Sequence, residues 1–135
     1  MTVLAWTLLA LGVLVLVLTQ VRLRRYRGQQ GMTDIAPWIL NVHTTAGLVA
    51  LVLVVLRLLD VHSSSAATWV ALLAMVLTAV IGLSLLARWT SSGGRHTAEV
   101  EGDGWTSGPW LSQLAHIGYA LGTVFFVWAL LGDRI

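Results

Sequence analysis

Four long apolar segments leave this chain little choice of solvent. Val3 to Gln20 is almost uninterrupted Leu, Val and Ala, with Gly12 and Thr19 as mild exceptions. Segments of similar character run over about 37–59, 68–87 and 109–131. A helix needs about 20 consecutive apolar residues to cross the hydrocarbon core of a bilayer. Within that core only helices and closed barrels satisfy their own backbone polar groups. The composition agrees, with 57% of residues hydrophobic and 10% charged, against about a quarter charged in a soluble domain. The expectation is an all-α membrane protein, a single domain over 1–135 built as a four-transmembrane-helix bundle with no soluble part.

Charge sets the expected orientation. Arg22, Arg24, Arg25 and Arg27 follow the first segment directly, and Arg88 follows the third. Positive residues stay on the cytoplasmic side, so 21–36 and 88–108 are expected as cytoplasmic loops and both termini outside. The first segment reads as a span rather than a leader, because no positive residue precedes it, it is too long for an h-region, and no A-x-A site follows. Asp34 is a candidate helix cap ahead of Pro37. Asp60 to Ala67 reads as a short outer loop, and Gly132 to Ile135 as an outer tail too short to hold anything. All eight basic residues are Arg. The positive charge comes mostly from the one cluster at Arg22–Arg27, which serves topology, and no nucleic-acid partner is expected. There is no cysteine, which excludes disulfides, thiolate metal sites and iron–sulfur clusters.

Two stretches look like copies of one another. Pro37-Trp38-Ile39-Leu40-Asn41-Val42-His43 opens the second segment, and Pro109-Trp110-Leu111-Ser112-Gln113-Leu114-Ala115-His116 opens the fourth. In each, Pro stands at the first helical position, where its missing N–H costs nothing. In each, Trp follows at the expected membrane interface, where an indole is favoured. His comes six residues after Pro37 and seven after Pro109, about 9–10 Å of rise in either case. Spans two and four would run parallel, so both histidines lie at similar depth towards the cytoplasmic face. The two helix pairs would then form a two-fold internal repeat about an axis along the membrane normal.

An ionisable group inside a span is costly and marks a functional site by default. A neutral imidazole binds a metal through one ring nitrogen while the other donates to a carbonyl or hydroxyl. Two such residues on facing helices can hold one haem by both axial positions, which favours electron transfer over oxygen binding. Candidate ligands to the iron are therefore His43 and His116. Gly47 follows His43 by four residues and Gly118 follows His116 by two, with Gly122 beyond. Gly47 and Gly118 are the candidate residues that leave room for the macrocycle, helped by the small Thr44, Thr45 and Ala46. Zinc or copper would want further His, Cys or carboxylate ligands at that depth, and none is present. His62 and His96 read as loop residues, and Arg57 as snorkelling to the interface or pairing with Asp60. Arg22, Arg24, Arg25 and Arg27 lie nearer to where haem propionates would be.

The run from His43-Thr44-Thr45-Ala46-Gly47-Leu48 to Val54-Val55-Leu56-Arg57-Leu58-Leu59 resembles the second span of bacterial cytochrome b561 proteins. His43, Gly47 and Arg57 fall at that family's offsets. The resemblance implies a four-helix bundle in the bacterial inner membrane, b-type haem held by histidine pairs, and electrons passed from a quinol to a partner. Where the family holds two haems, the last span here offers only His116 and the first offers no histidine. One haem is provided for.

Two functions remain open from the sequence. One is a b-type haem protein or haem-binding subunit, passing electrons between a quinone pool and a partner in a respiratory chain. The other is a non-catalytic accessory subunit packed against a larger respiratory or transport complex. There Asn41, Gln113 and Tyr119 would simply satisfy the histidines. No catalytic residue is assigned. A proton or ion transporter is disfavoured, because no Asp or Glu lies within a span.

Overall fold

The computed structural model describes residues 2–25, 36–61, 64–91 and 109–135. They form four helices: α1 (Thr2–Arg25), α2 (Pro37–Leu58), α3 (Ser65–Ser91) and α4 (Pro109–Leu131). Three carry stretches long and apolar enough to cross a membrane, Trp38–Leu58, Ser65–Arg88 and Gln113–Leu131. The apolar stretch of α1, Thr2–Leu18, rises only about 25 Å, against about 30 Å of hydrocarbon. Apolar side chains cover the outside as well as the inside. Leu73, Leu121 and Val124 are each about two-thirds exposed, which suits a lipid surround.

The helices are arranged with α3 against both α2 and α4, and with α1 against α4 and, more lightly, α2. Among the described residues neither α1 and α3 nor α2 and α4 approach at the main chain, so these pairs stand on the diagonals. Direction follows from the core. Ala5, Ala50, Val54, Leu72, Met75, Phe126 and Leu130 form one buried cluster. It joins the start of α1, the second half of α2, the start of α3 and the end of α4. Neighbouring helices are therefore antiparallel, and this end of the bundle is its packed end. At the other end Leu11, Leu14, Leu16 and Val17 of α1 are exposed.

Several sequence expectations need correction. Helix α1 continues through Val21–Arg25 and α3 through Arg88–Ser91, so both expected loops begin later. The remainder of 21–36 and 88–108, with Asp34 and His96, lies outside the described residues apart from Ala36. Helix α2 has Ala36 at its N-cap with no side-chain hydrogen bond. Pro37, at the first helical position, has no N–H to leave unsatisfied there. Helix α3 starts earlier than expected because Ser64 caps it, its hydroxyl accepting from Ala67 N–H at 3.2 Å.

The tail holds more than expected. Helices α2 and α4 end in the same Schellman turn, with Asp60 (φ 56°) and Asp133 (φ 46°) in the left-handed conformation. In the first, Val61 N–H reaches Leu56 and Asp60 N–H reaches Arg57; in the second, Arg134 N–H reaches Ala129 and Asp133 N–H reaches Leu130. Both bonds satisfy carbonyls orphaned at the helix end. The second turn aims Asp133 at Arg57, which pairs with it and donates from Nε to the Ile135 carbonyl at 3.0 Å. Arg57 thus pairs with Asp133 rather than with Asp60, because the turn brings the tail across the end of α2. Arg134 lies over the Trp128 ring at 4.0 Å.

Asp133 is 87% exposed and Arg57 19%. Water screens such a pair to at most about 1 kcal/mol. Asp133→Ala should therefore barely move the melting midpoint in detergent. Arg57→Ala should lower it further, because it also removes a part-buried stem. Equal shifts for the two variants would contradict this division.

Candidate functional site

The α2–α3 seam is built of large residues facing small ones. Gly47 lies one turn beyond His43 on α2, and Thr78 lies one turn before Gly82 on α3. Residues four apart share a helix face, and the antiparallel pairing matches these in reverse order. A Cβ at Gly82 would sit 3.3 Å from His43 Cε1, and one at Gly47 would sit 3.4 Å from Thr78 Cγ2. His43 thus fits over Gly82 and Thr78 over Gly47. The α3–α4 seam meets at the same place, since the Cβ at Gly82 would also lie 3.0 Å from His116 Cδ2.

The structure brings the two predicted histidines together. They project from the diagonal helices α2 and α4, with ring centroids 6.4 Å apart and ring planes 21° from parallel. A metal taking one nitrogen from each imidazole at about 2.0–2.1 Å would set the ring centres roughly 6 Å apart. The observed separation is close to this, while the rings stand near parallel and the Gly82 main chain packs against both. His43 Nδ1 is buried and makes no hydrogen bond. A buried polar atom of this kind calls for an explanation, and a ligand is one. Among the described residues no group of three or more His, Cys, Asp or Glu could hold a metal. The donor set is the two imidazoles, which suits the axial positions of a macrocycle whose own nitrogens fill the remaining sites.

One layer towards the packed end lies a group of hydroxyls. Thr78 and Thr123 are buried. Each donates to the carbonyl four residues back, Thr78 to Ala74 at 2.8 Å and Thr123 to Tyr119 at 2.9 Å. Their oxygens remain acceptors.

The other sequence candidates are placed differently. The position of a Cβ on Gly118 meets only Leu114 Cδ1, at 3.9 Å, and Gly47 meets only Thr78. Neither adjoins an imidazole within 4 Å. Asn41 and Gln113 are exposed. Arg22, Arg24 and Arg25 fall in the last turns of α1, where side chains lie outside the description, as do residues Arg27, His62 and His96.

Sequence reasoning missed Gly82 and Thr78, both on the helix without a histidine. A signal for Gly82 exists: a single Gly inside an otherwise apolar helix costs about 1 kcal/mol against Ala, so its presence points to a packing or functional reason. Only the structure shows what it faces. Comparison with protein-family models, with curated proteins and with solved structures gave no match.

Proposed function

We propose that His43 and His116 are the two axial ligands of a single haem b, and that the chain passes electrons between a quinone pool and a membrane partner. The observation that carries this reading is the imidazole pair itself, 6.4 Å between centroids on diagonal helices, with one ring nitrogen buried and unpartnered. A haem held at both axial positions supplies a one-electron couple with no open site for oxygen. The residues supply the rest. His43 and His116 would hold the iron, and Gly82 leaves the space beside the two rings free of a side chain.

The same reading takes α1 as a fourth span, with both termini outside in a bacterial inner membrane. It also takes the α1–α2 and α3–α4 pairs as an internal repeat. The repeat is supported by spacing: Asp60 and Asp133, the left-handed residues of the two caps, each follow their histidine by seventeen residues. A site near one face cannot carry electrons across the whole bilayer, so another membrane subunit or a quinone completes the path.

One observation favours a second reading. Gly82 lies at packing distance from both rings, as it would if the histidines were a structural contact in an accessory subunit. The visible spectrum of the protein, expressed with haem supplied and purified in mild detergent, separates the two. A Soret band with a sharp α band on dithionite reduction is expected. A colourless preparation would leave the accessory-subunit reading standing, and the complex that co-purifies would be the next object.

A further inference from the structure

We propose that the packed end of the bundle holds the headgroup of one phospholipid, of the class that carries a phosphate and a primary ammonium together. An open hollow of about 490 Å³ lies there, lined by Arg57, Asp60, Asp133 and Arg134 together with Thr2 and Leu58. Its charged lining is two Arg against two Asp. A lone anion would meet the carboxylates, and a lone cation would meet the guanidiniums. A ligand bearing both charges finds an opposite charge for each. Phosphate goes to Arg57 and Arg134, and the ammonium goes to Asp60.

These groups are held in place with capacity to spare. Arg57 is fixed from two sides, its Nε donating to the Ile135 carbonyl at 3.0 Å and one Nη to Asp133. A guanidinium has five N–H donors, so donors remain on a group already oriented. Arg134 lies flat over the Trp128 ring, and a stacked guanidinium keeps its N–H edge for a phosphate. Asp60 is placed by the left-handed turn that ends α2. Its carboxylate makes no hydrogen bond or ion pair among the described residues. The helix ends point the same way: α1 begins at Thr2 and α2 ends at Leu58, which favours an anion beside the first and a cation beside the second. A lipid is the source that the surroundings fit. Trp128 is half-exposed near the end of α4, where an indole marks the membrane interface. Leu59 and Val61, on either side of Asp60, are exposed and give acyl chains an apolar surface to leave along.

The full-length protein, delipidated in mild detergent, is mixed with equal amounts of phosphatidylethanolamine, phosphatidylcholine and phosphatidylglycerol of the same acyl chains. Lipid retained per protein is read by native mass spectrometry. Phosphatidylcholine keeps the phosphate but its ammonium has no N–H, and phosphatidylglycerol has no ammonium. Phosphatidylethanolamine is expected to be retained several-fold over both. Asp60→Asn, in which Asn also tolerates the left-handed turn, is expected to bring it down to the level of phosphatidylcholine. Equal retention of the three by the parent, best retention of phosphatidylglycerol, or a preference that survives Asp60→Asn would overturn the site. Displacement of bound lipid by soluble phosphorylethanolamine at the same concentration would overturn the lipid as its source. Arg134→Gln reads the phosphate side if Asp60→Asn does not fold: retention of all three lipids should drop several-fold, and unchanged retention counts against the site. No haem enters the measurement, so either outcome leaves the histidine reading untouched.

Discussion

His43→Ala, expressed with haem supplied, is expected to insert normally and purify colourless, and His116→Ala is expected to do the same. Each variant leaves one imidazole for a site that needs two, and no third His, Cys, Asp or Glu among the described residues stands by to replace the missing donor. If the histidines only pack against one another, either substitution should cost about 1 kcal/mol or less, as intramembrane polar contacts usually do. The two readings separate on haem per protein, taken from the reduced-minus-oxidised spectrum, rather than on stability. Full haem content in both single variants would end the ligand assignment.

Gly82→Leu should have the second largest effect. The Cβ alone would stand 3.0 Å from His116 Cδ2 and 3.3 Å from His43 Cε1, and the rest of a leucine would occupy the space between the rings. Gly82→Ala adds only the Cβ, which the two rings can accommodate by small rotations. The expected order of haem content is parent, then Ala close below it, then Leu reduced at least tenfold, with all three inserted to the same extent. Overpacking commonly costs about 1–3 kcal/mol, so a melting curve of each variant is needed to separate unfolding from exclusion. Gly118→Leu is the control, since that position meets only Leu114, at 3.9 Å. Retention of haem by Gly82→Leu would place the ligand somewhere other than between these imidazoles.

The histidine pair of the candidate site was legible because histidine is rare in apolar segments. His43 and His116 stand out in segments 3–20, 37–59, 68–87 and 109–131, which otherwise carry no ionisable group but Arg57 and Tyr119, and the repeated Pro-Trp opening gave their depth. Their proximity followed from depth and helix direction together, and the 6.4 Å separation agrees with it. The neighbours were harder to read. Gly47 and Gly118 were singled out for lying near a histidine along the chain, yet the glycine that meets both rings is Gly82, on a different helix. Sequence distance locates a residue on its own helix face and says nothing of what the next helix presents there. Arg57 illustrates the same limit. Asp60, three residues away, was the nearer partner along the chain, while the partner in space is Asp133, carried there by a Schellman turn at the end of another helix.

Sequence alone determined the solvent and the elements of this protein. A backbone surrounded by lipid must satisfy its own hydrogen bonds, so long apolar segments become helices whatever their neighbours are. Proline at the start of α2 and of α4, and Ser64 ahead of α3, set where three of them begin. Tertiary structure decided which helices stand on the diagonals, which glycine faces the histidines, and where the tail docks. Helices that are apolar on every side carry no stripe to mark the inward face. In lipid, packing between them is chosen by the fit of small residues against large ones, and that fit exists only once two helices have met.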